Sequence, residues 1–157
     1  LSPADRDLLD FTREVLEIVR SNAVLRRRTF LTGKTIGDGG TKDLSWLRPD
    51  GAEMTDDEWR DETNQVLGML LHGRATDEVD ERGRPIFGKT ILMLLNGGAR
   101  SRPFTLPRVG DGAGTWTMLI NTAQPGQRVV RGRTVNLVAH SFQLVRLEDA
   151  ASPGLVV

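Results

Sequence analysis

The spacing of apolar residues changes once along this chain. Leu8, Phe11, Val15, Ile18 and Val19 follow the three- and four-residue rhythm of one helix face, set among charged neighbours. The start of that helix is marked in the sequence. Ser2 is placed to cap it, Pro3 takes the first helical position, where no N–H is needed, and Asp5 brings a carboxylate to the first turn. A lone apolar stripe of this kind needs a neighbour to cover it.

After the helix the rhythm shortens to brief apolar runs divided by Gly and Pro. Phe30, Leu31 and Thr32 predict a short extended piece, and Gly33, Gly37, Gly39 and Gly40 mark a loop. Leu44 and Trp46 share a face of D-L-S-W-L, and Pro49-Asp50-Gly51 predicts a reverse turn directly after it. Thr55, followed by Asp56, Asp57 and Glu58, predicts one capped helical turn leading to Trp59.

Val66 to Leu71 and Ile91 to Leu95 predict two strands joined by a long hairpin connection that includes Ile86 and Phe87. The second run is apolar at every position and is expected at the centre of a sheet, covered on both faces. Phe104 and Leu106, between Pro103 and Pro107, predict an edge strand, since proline leaves the ladder short of a donor. Trp116, Met118 and Ile120 alternate with Thr117, Leu119 and Asn121, which predicts a two-faced strand. Pro125-Gly126 turns the chain, Val129 and Val130 form a short extended piece, and Val135 to Leu147 predicts one long or bent final strand. Such closely spaced pieces predict a mainly β fold: an antiparallel β-sandwich of about seven or eight strands preceded by one α-helix. The crossover helices of a parallel sheet are missing. Residues 150–157 carry no periodicity and are expected to form a flexible tail.

Composition narrows the chemistry. The 157 residues suffice for one domain without a staple, and the absence of Cys excludes disulfides and thiolate chemistry. Lys plus Arg and Asp plus Glu are balanced at 21 each, so no global field draws nucleic acid or anionic lipid. No apolar run approaches a membrane-spanning length, and the chain opens on Leu1 without a basic and apolar leader. The expectation is a soluble protein, or a piece of one, with no nucleic-acid or membrane partner.

No residue set nominates itself as catalytic, metal-binding or cofactor-binding. Glycoside hydrolysis needs two carboxyl groups about 5 to 10 Å apart on a rigid frame, and the sequence identifies no such pair. His72, at a strand end, and His140, near the middle of the last strand, lack zinc-site spacing. No serine lies in a G-x-S-x-G elbow. Gly33-Lys34-Thr35 and Gly88-Lys89-Thr90 lack the glycine-rich turn that precedes a phosphate loop. Asp56, Asp57, Glu58, Asp61 and Glu62 lack the ligand spacing of a calcium loop and predict a solvated acidic segment. Arg26, Arg27 and Arg28 predict a solvated helix end or loop, with a phosphate or saccharide contact as the alternative. Saccharide binding asks only for a ring and a few hydrogen-bonding groups. Trp46 and Trp116 are expected inside, which leaves Trp59, with Asp56 and Asp57 beside it, as the candidate saccharide contact.

The run L-S-W-L-R-P-D-G-A-E-M-T-D-D-E-W, residues 44–59, resembles the C-terminal part of bacterial glycogen debranching enzymes of the isoamylase type, in the alpha-amylase superfamily. Residues 8–27 resemble the last barrel helix of that family. L-G-M-L-L-H-G, D-E-R-G-R-P-I, L-M-L-L-N-G, F-T-L-P and W-T-M-L-I-N-T follow in the family's order. The chain departs from the pattern at Gly88-Lys89, where an Asp-Asp pair is expected, at Gly98, where a histidine-like residue is expected, and at Asn121, where Asp is usual. The resemblance implies that residues 1–28 are the terminal helix and exit segment of a (β/α)8 barrel and residues 29–149 the C-terminal sandwich. It also implies that the catalytic carboxylates lie in barrel segments outside this sequence, and that the parent enzyme is cytoplasmic and hydrolyses α-1,6 branches in glycogen or limit dextrin. On that reading the chain is a non-catalytic accessory domain whose partners are the parent barrel and, through the full enzyme, branched α-glucan. The alternatives are an independent glucan-binding module and a domain that dimerises through the exposed helix stripe.

Overall fold

The computed structural model describes residues 2–36 and 40–149. Gly37, Gly39 and the expected tail at 150–157 lie outside the described residues. The chain divides into two compact units, one built from the residues up to Asp43 together with His72–Lys89, the other from Leu44–Leu71 and the residues from Thr90 onward.

In the first unit, helix α1 spans Pro3–Ser21 and begins as the sequence predicts. Ser2 Oγ accepts from the Asp5 N–H at 3.2 Å, and the Asp5 carboxylate accepts from the Ser2 N–H at 2.9 Å. At the other end Asn22 donates to the Ile18 carbonyl at 2.7 Å, and a 3₁₀ turn follows at Ala23–Arg26. None of the 19 helical residues is buried, and on the apolar stripe Leu8 stays 65% exposed. No helix among the described residues is long and apolar enough to cross a membrane.

Two expectations fail in this unit for the same reason: a partner distant in sequence. Phe30 to Thr32 form no strand, because the Thr32 and Gly33 N–H groups donate, each at 2.9 Å, to the carboxylate of the buried Asp43. The arginine run is not wholly solvated. The Arg27 side chain is 7% exposed, and its guanidinium donates to the Ala75 carbonyl at 3.1 Å and to Asp77 at 2.6 Å. Beside it the Arg28 and Thr29 N–H groups donate to Glu78. Burial pushes the Glu78 carboxyl up, but those two N–H groups and the positive charges of Arg27 and Arg28 hold it below the ordinary glutamate value.

The second unit is an antiparallel β-sandwich. Its strands are β1 (Leu44–Leu47), β2 (Val66–Leu71), β3 (Ile91–Asn96), β4 (Arg102–Thr105), β5 (Thr115–Asn121), β6 (Thr134–Leu137) and β7 (Ser141–Glu148). One sheet has the order β1-β2-β3-β7-β5 and the other is the pair β4-β6. Leu47, Val66, Leu70, Leu92, Leu94 and Val145 from the first sheet meet Phe104, Val135 and Leu137 from the second in a continuous core. As the apolar run predicts, β3 is the central strand, although Leu95 on its outer face remains 42% exposed.

The final strand does not run through from Val135 to Leu147. His140 adopts φ +52° and donates its N–H to the Gly98 carbonyl at 3.2 Å, so the chain turns there and splits the run into β6 and β7. His140 is therefore a turn residue and not the middle of a strand. In β5 a bulge lies between Met118 and Ile120: Met118 opposes Val145, whereas Ile120 opposes Leu144. Ile120 thus leaves the face it was expected to share with Met118. Val129 makes only an isolated bridge to Thr117.

Candidate functional site

The candidate glucan contact is assembled by β1, the turn after it and one helical turn. In β1, Ser45 and Leu47 are buried and Trp46 points to the other face. The predicted turn follows, with Gly51 N–H donating to the Arg48 carbonyl and Arg48 N–H to the Ala52 carbonyl, both at 2.9 Å. Gly51 adopts φ +85°, and a Cβ there would stand 2.5 Å from the Thr105 carbonyl oxygen, so the position requires glycine twice over. The Met54 N–H then donates to the Trp46 carbonyl at 2.9 Å, which returns the chain alongside β1.

That return sets helix α2, Asp56–Trp59, beside Trp46. The Trp46 and Trp59 rings meet edge to face, with centroids 5.6 Å apart and planes at 85°. Trp59 remains 51% exposed, a ring steadied on one side and open on the other.

A charged cluster fixes the same segment. One oxygen of Glu58 accepts from the Thr55 N–H at 2.7 Å and hydroxyl at 3.0 Å, and the other accepts from Arg48 at 2.5 Å. Arg48 also reaches Asp50 at 2.8 Å. Hydrogen bonds to Asp50 and then Glu58 raise the Arg48 pKa. Asp50 is lowered by Arg48 and then by the Ala52 N–H, and Glu58 by the Thr55 N–H and then by Arg48. Arg48, Pro49, Asp50, Glu58, Asp61 and Asn64 line an open cleft of about 540 Å³.

The three residues singled out in the sequence occupy one helical turn but do not converge. Asp56 precedes Trp59 by three residues and so lies on its side of the turn. The Asp57 side chain is 95% exposed and pairs with Arg60 at 3.3 Å. Arg48, Asp50 and Glu58 form a cluster that is not among the candidates the sequence singles out. The T-x-x-E spacing of a capping box and the R-P-D turn were the available signals.

The donors around Asp50 and Glu58 favour the charged form of both carboxyls, and with Arg48 they give the cleft a charged, hydrogen-bonding wall. Among the described residues, no group of three or more His, Cys, Asp or Glu side chains is placed to hold a metal ion.

Comparison with known proteins adds a family relationship. The profile of the family described as isoamylase, C-terminal, matches residues 43–142. Relatives named "Glycogen operon protein GlgX homolog", from Mycobacterium bovis and Mycobacterium tuberculosis, are each 32% identical over 120 residues. That stretch is 76% of this chain and 16% of each relative's length.

Proposed function

This chain belongs to the isoamylase C-terminal domain family, and we propose that it serves as the non-catalytic accessory domain of a cytoplasmic glycogen debranching enzyme. The parent protein on this reading hydrolyses α-1,6 branch linkages in glycogen or limit dextrin with a barrel that precedes the sandwich. Residues 1–28 are the barrel's closing helix and exit, and residues 29–149 brace it.

The observation that carries this reading is α1. A helix with a well-formed cap and a continuous apolar stripe, yet no buried residue, is built to be covered by something else. The same compact unit also exposes Phe30, Val79 and Phe87. A relative of which the matched stretch is only 16% offers the covering partner in the same polypeptide. When the 157-residue chain is incubated with branched glucan, release of no linear chains is expected. Measurable branch hydrolysis would contradict the reading. Concentration-dependent sedimentation would instead mark the stripe as a contact between two copies.

A second reading rests on Trp59, a half-exposed ring braced by Trp46 beside a polar cleft. Under it the domain itself touches glucan, and tryptophan fluorescence is quenched by glycogen. Fluorescence unchanged at high glucan concentration leaves the bracing role alone.

A further inference from the structure

The two sheets of the sandwich are unequal, five strands against two, so part of the wider sheet's inner face lacks a cover. Over the β5–β7 end a cleft of about 510 Å³ opens beside β6. Met118, Val130 and Val135 form its apolar side, and the amides of Asn121, Gln127 and Gln143 its polar side.

The register shows how the amides come to be there. Leu47, Gly68, Leu94, Gln143 and Asn121 stand opposite one another in a single row across the five strands. In the neighbouring row Leu70, Leu92, Val145 and Met118 are apolar, and Ser45 of β1 is its polar member at the far edge. Counted from Met118 opposite Val145, an unbroken ladder would bring Ile120 opposite Gln143. The β5 bulge replaces it with Asn121, turning a second amide onto the inner face.

Both amides are buried, Asn121 at 4% and Gln143 at 2% exposure. Asn121 is fully engaged: its carbonyl accepts from the Ala123 and Gln124 N–H groups, and its NH₂ donates to Gln127 at 2.6 Å. Gln143 is not. Its NH₂ donates to the Asn136 carbonyl at 3.0 Å, which needs a donor and so fixes the amide's orientation. Its Oε1 is left buried without a hydrogen-bond partner. A buried carbonyl in that state is costly, and such an atom in a cleft wall asks for a donor.

We propose that this cleft binds a neutral saccharide, one hydroxyl of which donates to Gln143 Oε1. A hydroxyl both donates and accepts, as the surrounding amides do, and the C–H face of a sugar ring suits Met118, Val130 and Val135. No carboxylate lines the cleft. Of its two arginines, Arg128 already donates to the Leu119 carbonyl at 3.1 Å. Gln127 lines the same cleft; its carbonyl already accepts from Asn121, and its NH₂ is offered to the ligand as a second polar contact. The choice of an α-glucan as that saccharide rests on the proposed function, whereas the cleft chemistry does not.

The test is a nitrogen-15 NMR titration of the 157-residue chain, which reports the side-chain NH₂ signals of Asn121, Gln127 and Gln143 directly. Maltotriose, cellotriose and inorganic phosphate are the probes. Saturable shifts of these signals with maltotriose are expected, together with an affinity about five- to tenfold weaker in Gln127→Ala. Binding of cellotriose but not maltotriose upholds the site and counts against the α-glucan reading. Three results overturn the proposal: no shift with either saccharide, shifts confined to the Trp59 segment, or binding of phosphate alone. Gln127 lies outside the strands, and the fold of Gln127→Ala is read from its backbone amide signals in the same titration, so a weakened affinity in the folded variant reports the site.

Discussion

The ring of Phe104 fills the space that a side chain at Gly68 would need: a Cβ there would lie 2.6 Å from the ring's Cζ. Gly68 stands in β2 between Val66 and Leu70, and Phe104 is the fully buried anchor of β4 in the opposite sheet. Glycine weakens a strand, and here the ring it admits offsets that loss. Gly68→Ala should therefore destabilise the chain by about 1–3 kcal/mol, seen as a lower urea midpoint at unchanged slope. A loss below about 0.5 kcal/mol would mean that the ring moves aside freely.

Asp43 holds the Thr32–Gly33 loop through one carboxylate oxygen to each N–H. Asp43→Ala leaves both donors without their acceptor, at an expected cost of about 1–3 kcal/mol. Hydrogen exchange at the Thr32 and Gly33 amides should accelerate in the variant. Unchanged exchange there would show that another group takes over.

Acid should weaken the β1–α2 segment. Asp50 and Glu58 have pKa values below the ordinary carboxylate range in the folded chain, so on acidification the unfolded chain takes up their protons first. Their stabilisation is complete above the unfolded carboxylate values near pH 4 and is lost as pH falls through the depressed folded values. Glu58→Gln should flatten that acid limb, measured as the thermal midpoint between about pH 6 and about pH 2. An acid limb identical to that of the parent chain would remove Glu58 from the account.

Arg27 and Arg26 separate a buried cation from a surface one. Arg27→Ala removes the Ala75 carbonyl's donor and the cation paired with Asp77, which keeps only the Thr29 hydroxyl, and should cost about 2–4 kcal/mol, whereas Arg26→Ala should fall within about 0.5 kcal/mol. Equal losses by chemical denaturation would show that the Arg27 contacts carry no net stability.

The contrast between Arg27 and the α1 cap shows what was legible in the sequence. Ser2, Pro3 and Asp5 lie within one turn of one another, and so do Pro49, Asp50 and Gly51. Interactions of that range are written in adjacent letters, and both elements form as read. The partners of Arg27 and Arg28 lie about 50 residues away, and nothing near the R-R-R run announces them. Asp43, ten residues from Gly33, likewise replaces the ladder that the Phe30–Thr32 piece would have needed. The break at His140 is hidden for another reason. An apolar and polar alternation continues on both sides of the turn, and only a backbone conformation rare for histidine marks it. The bulge in β5 is equally silent: an extra residue leaves composition and spacing unchanged while reversing which side chains face inward. At the candidate site Trp59 was visible as a ring in a polar stretch. The Arg48–Glu58 link that fixes it depends on a turn bringing β1 back past α2.

The central claim is that α1 is finished by a covering partner in a longer polypeptide. Hydrogen–deuterium exchange along Pro3–Ser21, in the 157-residue chain and in the longer polypeptide proposed to carry the barrel, measures this most directly. The account predicts fast exchange in the isolated chain, where Leu8 and Phe11 are open to water, and strong protection in the longer one. Equal exchange in the two would contradict it.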